Sequence, residues 1–122
     1  MRSCPGRLLG SVLLAAVACG PAPAQELGRP VALPPPLLQG AMPVEQALLQ
    51  RRSKREFAAE PLALQDVAQV LWAAQGVTDP RGWRTAPSAG ALAPLEVYLV
   101  AGSVSGLLPG AYRYRPQAHT LL

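Results

Sequence analysis

The sequence predicts an α+β fold in which helices pack on a mainly antiparallel sheet. Residues 61–76, PLALQDVAQVLWAAQG, repeat apolar side chains at helical spacing. Residues 95–102 and 111–122 instead have the alternation and the β-branched or aromatic side chains of strands. Because the predicted order is helix, helix, strand, strand, the two kinds of element are segregated along the chain, as in α+β proteins.

The first 24 residues have the layout of a signal peptide. Arg2 and Arg7 stand before the apolar run 8–18, and Ala22-Pro23-Ala24 forms a small-residue exit before Gln25. The apolar run is shorter than the about 20 residues of a membrane-spanning helix. We therefore expect residues 1–24 to be removed during export to the periplasm or the medium.

Both cysteines, Cys4 and Cys19, lie in this leader, so a mature chain would have no disulfide framework. Residues 16–20, AVACG, also look like a bacterial lipoprotein cleavage box, which is the alternative exit. Membrane attachment is expected only if Cys19 is lipidated. Arg2 and Arg7 are not adjacent, so the leader has no twin-arginine signal.

The charge of the chain is local. Removal of two leader arginines leaves nine basic and seven acidic residues, a net charge of +2. Four of the nine are Arg51, Arg52, Lys54 and Arg55, which argues against a nucleic-acid-binding protein with a broad basic face. With His119 as the single histidine, no metal site is expected. No acid pair or serine-hydrolase motif is present either, so the sequence offers no catalytic residue.

Residues 25–42 are rich in proline, including LPPPLL at 33–38, and are predicted to form a spacer without a packed element. Residues 43–122 are predicted to be the folded domain. Its first element is a short helix over residues 43–50, with Pro43 in the first turn, where its missing N–H costs nothing.

The second helix covers residues 61–76, with Pro61 at its start. Its apolar face is predicted to consist of Leu64, Val67, Val70 or Leu71, and Ala74. Gly76 is expected to end it as a left-handed residue. Trp72 is expected in the core or at an interface.

Residues 77–94 are rich in turn formers and small side chains, and two strands follow. The first lies within residues 95–102. In the second, Tyr112 and Tyr114 alternate with two arginines, and a hairpin return through residues 116–118 is expected. His119 is expected to have a surface or turn role.

Two segments could together hold a nucleotide-like cofactor. The basic turn, residues 51–55, offers the donor forks of Arg51, Arg52 and Arg55 and the Ser53 hydroxyl to phosphate oxygens. In the small-residue loop, residues 87–90, Pro87, Ser88, Ala89 and Gly90 have little bulk, so a flat ring could approach their backbone closely. Alone, a basic run is usually a solvated turn and PSAG is usually a loop.

Four motifs in order resemble the flavin-dependent nitroreductase family, in particular its SagB-type dehydrogenase branch. They are RRSKREF at 51–57, VLWAAQG at 70–76, TAPSAGALAPLE at 85–96 and GAYRY at 110–114. The match runs from about residue 43 to residue 122. One departure is Ala93, where the family has tyrosine.

The resemblance implies an α+β homodimer that holds flavin mononucleotide (FMN) between its subunits. By this resemblance, Arg51, Arg52, Ser53 and Arg55 contact the phosphate, ribityl chain and ring edge of FMN. The small-residue loop lies along the ring, typically from the other subunit. The implied activity is oxidation or reduction of a small molecule or of a peptide azoline. Family members continue beyond this point, so the chain is expected to be the N-terminal part of the domain, with the catalytic residues in the second half.

Two other interpretations stay open. Residues 52–55, Arg-Ser-Lys-Arg, fit the site of furin-like proteases, which predicts a secreted precursor cleaved there. The third interpretation is a non-catalytic remnant of the same fold.

Overall fold

The computed structural model describes residues 28–122. The predicted signal peptide and the lipidation site at Cys19 lie outside these residues. Within them, no helix is both long enough and apolar enough to cross a membrane.

Two α-helices form where the sequence predicts them: α1 at Val44–Gln50 and α2 at Leu64–Gln75. Pro43 precedes α1 in the extended conformation that its ring favours. Asp66 lies in the first turn of α2, where its charge complements the helix dipole.

The buried face of α2 differs from the predicted one. Val67, Ala68, Leu71 and Gln75 are buried, whereas Val70 is 69% exposed. The prediction was right for Val67 and Leu71. Of the alternatives Val70 and Leu71, Leu71 is the buried one. The prediction was wrong for Ala74, because the sheet contacts a face centred on the 67, 68, 71 and 75 positions and leaves the neighbouring stripe in solvent.

Gly76 ends α2, but not in the predicted left-handed conformation. Its φ is −62° and its ψ is 152°, which is extended backbone open to any residue. Glycine is required here for space, because a Cβ built on Gly76 would overlap the indole ring of Trp72 and lie 2.6 Å from the Trp72 carbonyl oxygen.

Four strands form one antiparallel sheet in the order β1-β4-β3-β2. They are β1 at Val31–Ala32, β2 at Tyr98–Ala101, β3 at Gly110–Arg115 and β4 at Thr120–Leu121. In the predicted hairpin, Tyr114 pairs with Leu121 across β3 and β4. The predicted α+β class, with helices on a mainly antiparallel sheet, is confirmed.

Part of the proline-rich segment is a packed element, and the prediction of an unpacked spacer was wrong for residues 31–33. Val31 pairs with Leu121 at the sheet edge, and Leu33 is buried. The Leu33 N–H donates to the carbonyl of His119 at 3.1 Å. β1 forms by pairing with β4, which lies about 90 positions later in the chain. No local pattern of residues reveals this pairing.

The core lies between α2 and the sheet. Its buried apolar residues come from α2, from β2, β3 and β4, from the residue after β1 and from the loop between β2 and β3: Leu33, Val67, Ala68, Leu71, Ala101, Leu107, Tyr114 and Leu121. In contrast, α1 buries no residue, and every residue from 41 to 60 is exposed. The apolar side chains of this stretch, including Leu49 at 75% and Phe57 at 86% exposure, therefore have no cover within one described chain.

Candidate cofactor-binding site

The basic turn follows directly from the C-terminus of α1. Arg52 folds back on the helix, and its Nη1 donates to the carbonyls of Leu49 at 3.0 Å and Arg51 at 2.8 Å. The last carbonyls of a helix lack intrahelical donors, so Arg52 satisfies groups that would otherwise need water. This guanidinium shapes the turn and has fewer donors left for a ligand.

Arg51, Ser53 and Arg55 differ from Arg52. In residues 28–122, none of their side chains has an ion pair or a hydrogen bond with another residue. Ser53 and Arg55 line an open cavity of about 430 Å³ together with Lys54 and Glu56. Two guanidinium forks and a hydroxyl are thus exposed on one turn, which is a donor set that fits phosphate.

The backbone is unusual at the last residue of the small-residue loop and directly after it. Gly90, Ala91 and Ala93 have φ angles of 62°, 55° and 42°, in the left-handed region that alanine rarely adopts. The Ser88 hydroxyl oxygen accepts the N–H of Ala93 at 2.8 Å and closes the loop. Strained backbone of this kind is concentrated at ligand-binding segments. The residues here are glycine and alanine, so little side-chain bulk covers the backbone.

The C-terminus of α2 anchors the segment before this loop. Arg84 Nη1 donates to the carbonyl of Gln75 at 3.0 Å, and the Thr85 hydroxyl donates to the carbonyl of Trp72 at 3.1 Å. The Thr85 N–H also donates to the carbonyl of Gly76 at 2.9 Å. The segment that leads into the small-residue loop is therefore hydrogen-bonded to the C-terminus of α2.

Pro87 and Ser88 line a cavity of about 450 Å³, which we call the loop cavity. Its wall includes Trp83, and the Arg81 guanidinium carbon lies 3.7 Å from the centroid of the Trp83 ring. The Oδ1 atom of Asp79 accepts a hydrogen bond from the Arg81 Nε–H at 2.7 Å, and this hydrogen bond lowers the pKa of the Asp79 carboxyl. Sequence reasoning missed this cation–π pair, although the string RGWR at 81–84 was a signal for it.

A second cavity, of about 460 Å³, lies beside the loop cavity and shares Arg84 and Ala93 with it. We call it the arginine cleft because Arg113 and Arg115 of β3 line it as well. Sequence reasoning noted the alternation of these arginines with tyrosines, but it did not assign them to a site.

Within one chain, the basic turn and the small-residue loop line different cavities. The predicted FMN site combines the turn of one subunit with the loop of the other, so its geometry belongs to a dimer. The assignment of Arg51, Arg52, Ser53, Arg55, Pro87, Ser88, Ala89 and Gly90 to FMN stays a prediction. In the described part of the chain, no group of three or more histidine, cysteine, aspartate or glutamate residues could hold a metal ion.

Comparison with known proteins decides the family. The family model of the nitroreductases matches residues 48–122. The chain belongs to the nitroreductase family. A nitroreductase homologue of Methanocaldococcus jannaschii is 46% identical over 79 residues, which are 65% of this chain and 40% of that protein. The crystal structure of a nitroreductase homologue from Ralstonia eutropha superimposes with a TM-score of 0.65 at 39% identity, over 83% of this chain and 46% of the other.

This nitroreductase-family chain thus spans less than half the length of the relatives that it matches. Members of the family generally use a flavin cofactor and are commonly dimers. The membership confirms the predicted resemblance at the level of the family.

Proposed function

We propose that this chain is the N-terminal part of an FMN-dependent oxidoreductase of the SagB-type dehydrogenase branch, and that it works as a homodimer with FMN between the subunits. The substrate is a small molecule or a peptide azoline. We assign no catalytic residue within residues 43–122.

The observation that carries this proposal is the state of the basic turn in a nitroreductase-family chain. Arg51 and Arg55 are exposed, and neither side chain has a partner within residues 28–122. Their donors are available to the phosphate of FMN, for which a bidentate guanidinium is well suited. Arg52 bonds the end of α1 and Ser53 lies beside it, so the turn is preshaped.

The exposed apolar side chains of α1 and of the segment after it support a dimer. Val44, Leu48 and Phe57 are each more than two-thirds exposed, which is a large apolar area to leave in water. In a dimer, this surface would lie close to the FMN phosphate.

The small-residue loop would lie along the flavin ring of the other subunit, where its left-handed backbone keeps side chains out of the way. When bound, the flavin supplies the redox chemistry, and the chain binds it, orients it and adjusts its electronics. A guanidinium near the pyrimidine edge would stabilise the anionic reduced form.

FMN retention tests this proposal. The full chain is mixed with FMN and gel-filtered, and the bound flavin is read from its visible absorption. We expect Arg51→Gln and Arg55→Gln to weaken retention about tenfold or more each, because each removes a charge-assisted contact.

Lys54→Gln is the matched control, because it removes the same charge from the same turn and Lys54 has no assigned contact with FMN. Equal losses in all three variants would indicate general charge attraction and would reject the assigned contacts. A wild-type chain that binds no FMN would reject FMN dependence of this chain and favour the non-catalytic remnant.

We also propose that residues 1–24 direct export. The leader layout supports this, and N-terminal sequencing with mass spectrometry of secreted material tests it. A start at Gln25 is expected. An acylated start at Cys19 would indicate a lipoprotein, and an intact Met1 would reject export.

A secreted precursor is the second candidate, and one observation favours it. Residues 51–58 are exposed and have no regular secondary structure, so a protease could reach Arg52-Ser53-Lys54-Arg55. Incubation of the full chain with a furin-like protease tests this. Cleavage after Arg55 at low enzyme concentration would support a precursor, whereas an uncleaved chain would reject it.

A further inference from the structure

We infer that the arginine cleft binds the carboxylate or phosphate group of a small anionic molecule. The cleft lies between β3, the turn after it and residues 93–97, which lead into β2. No residue of the predicted FMN set lines it, so it is a separate site.

The charge of the lining favours an anion. Arg84, Arg113 and Arg115 are its basic residues and Glu96 is its single acid, so its formal charge is +2. Cations that surround a concave surface concentrate their field there and attract anions.

Glu96 neutralises only one of the three arginines. Its Oε1 lies 3.5 Å from Arg113 Nη1, and its Oε2 accepts the hydroxyl of Tyr98 at 2.6 Å. Both carboxylate oxygens of Glu96 thus have partners. In the described chain, no carboxylate lies within ion-pair distance of the guanidinium group of Arg84 or of Arg115.

Arg84 is held in place before any ligand arrives. Its Nη1 donates to the neutral carbonyl of Gln75 at 3.0 Å, which orients the guanidinium without neutralising it. Tyr114 lies close enough for Arg84 to act on its hydroxyl electrostatically, and Tyr114 is itself buried. An arginine that is already oriented loses little side-chain entropy when it binds.

Arg115 is exposed on β3 opposite Thr120, and its guanidinium has no hydrogen bond within residues 28–122. One fixed guanidinium and one free guanidinium suit an oxyanion, because each offers two parallel N–H donors to two oxygens. Leu95, Val97 and Pro116 add apolar lining next to these donors. The cavity of about 460 Å³ has room for a short hydrocarbon chain beside the anionic group.

The position of the cleft relative to the loop cavity indicates which kind of molecule has the anionic group. The cleft shares Arg84 and Ala93 with the loop cavity, whose Pro87 and Ser88 are predicted to lie along the flavin ring. This step rests on the proposed function: a molecule whose anionic group is bound in the cleft would extend toward the flavin ring. The oxidoreductase would therefore act on a small substrate that has a carboxylate or a phosphate.

The experiment uses the full chain labelled with ¹⁵N-arginine, without flavin, titrated with succinate or with inorganic phosphate at constant ionic strength set by chloride. The side-chain Nε signals report each arginine separately. We expect saturable shifts at Arg84 and Arg115 with at least one probe. Arg115→Gln should weaken the binding at Arg84 about tenfold, because one charge-assisted fork is lost.

Lys54→Gln removes the same charge from the basic turn and should leave the Arg84 titration unchanged. Arg84→Gln is a second variant. Because Arg115 is exposed, Arg115→Gln is expected to fold, which keeps the test valid if Arg84→Gln does not fold. A response to succinate alone identifies a carboxylate site, and a response to phosphate alone identifies a phosphate site.

Three results would overturn the inference: no saturable shift at Arg84 and Arg115 with either probe, equal weakening by Lys54→Gln, or shifts that depend on protein concentration without a probe. The last would show that a second copy of the chain occupies the cleft. FMN retention measured on the same samples tests the proposed function separately, since anion binding without flavin does not depend on it.

Discussion

The Nε2 atom of His119 lies 2.8 Å from the carbonyl oxygen of Pro34, a residue 85 positions earlier. A carbonyl only accepts, so Nε2 is the donor in this contact. The Nδ1 atom lies 2.8 Å from the hydroxyl oxygen of Tyr114, which forms the second hydrogen bond of the ring. The imidazole therefore joins the proline-rich segment to the β3–β4 hairpin. His119 is half-buried in the turn between these strands, so the predicted turn position is confirmed and its structural role is larger than expected.

We predict that His119→Ala lowers the free energy of unfolding by about 2 kcal/mol, because two partly buried hydrogen bonds are lost. Urea denaturation of the full chain measures this. Gln117→Ala, an exposed change in the same turn, should stay within about 0.5 kcal/mol of the wild type. If the two variants had the same stability, the bridge would contribute nothing.

Gln69 holds the proline-rich segment from the side of α2. Its Oε1 accepts the N–H of Leu37 at 2.7 Å and its Nε2 donates to the carbonyl of Leu37 at 3.1 Å. We predict that Gln69→Ala speeds hydrogen exchange of the Leu37 amide about five- to tenfold, because the acceptor is lost. Gln69→Glu keeps an acceptor and should preserve more protection. Unchanged exchange in Gln69→Ala would show that the amide is protected by other contacts.

Gly76→Ala should destabilise the fold by about 1–3 kcal/mol, since the added methyl group would collide with the Trp72 ring and carbonyl. Thermal or urea unfolding measures the loss. Gly102→Ala is the matched control, because a Cβ there has no neighbour within 4 Å, and its effect should be small. An equal loss of stability in both variants would mean that the collision with Trp72 does not cause the loss.

Tyr114 gives the fold a pH dependence on the alkaline side. Burial raises the pKa of its hydroxyl above the ordinary value of 10.0, and the nearby Arg84 only partly opposes this shift. Above pH 10.0 the unfolded chain then releases this proton before the folded chain does, so the folded state binds more protons and stability falls as pH rises.

We therefore predict that the decrease in unfolding free energy above about pH 10 is shallower in Tyr114→Phe than in the wild type. Urea denaturation over a series of alkaline pH values measures the two slopes. The lost hydrogen bond to His119 lowers the stability of Tyr114→Phe at neutral pH as well, so the slopes are compared and not the absolute values. Equal slopes would contradict the assignment.

The elements that local periodicity specifies were predicted well. α1, α2 and the β3–β4 hairpin lie where their patterns place them, because a repeat of 3.6 or 2 residues is enough to choose helix or strand. The side of α2 that meets the sheet was predicted only in part. Ala68 is fully buried and Val70 is exposed, although hydropathy alone favours the reverse.

The candidate site also has features that residue type predicts and features that it does not. The exposed arginines of the basic turn and the open loop around Gly90 follow from residue type, since unpaired charges stay in water and glycine permits left-handed backbone. The arginine cleft did not follow from residue type, because Arg84 and Arg115 are about thirty positions apart in the chain.

The sequence by itself determined the class of the fold, the family and the exposed donors of the basic turn, because each depends on short patterns of neighbouring residues. Only the tertiary structure decided that Val31–Ala32 forms a strand, that His119 holds Pro34, and that three arginines share one cleft. Each of these relationships joins residues about thirty to ninety positions apart, and their proximity depends on strand pairing and packing over the whole domain.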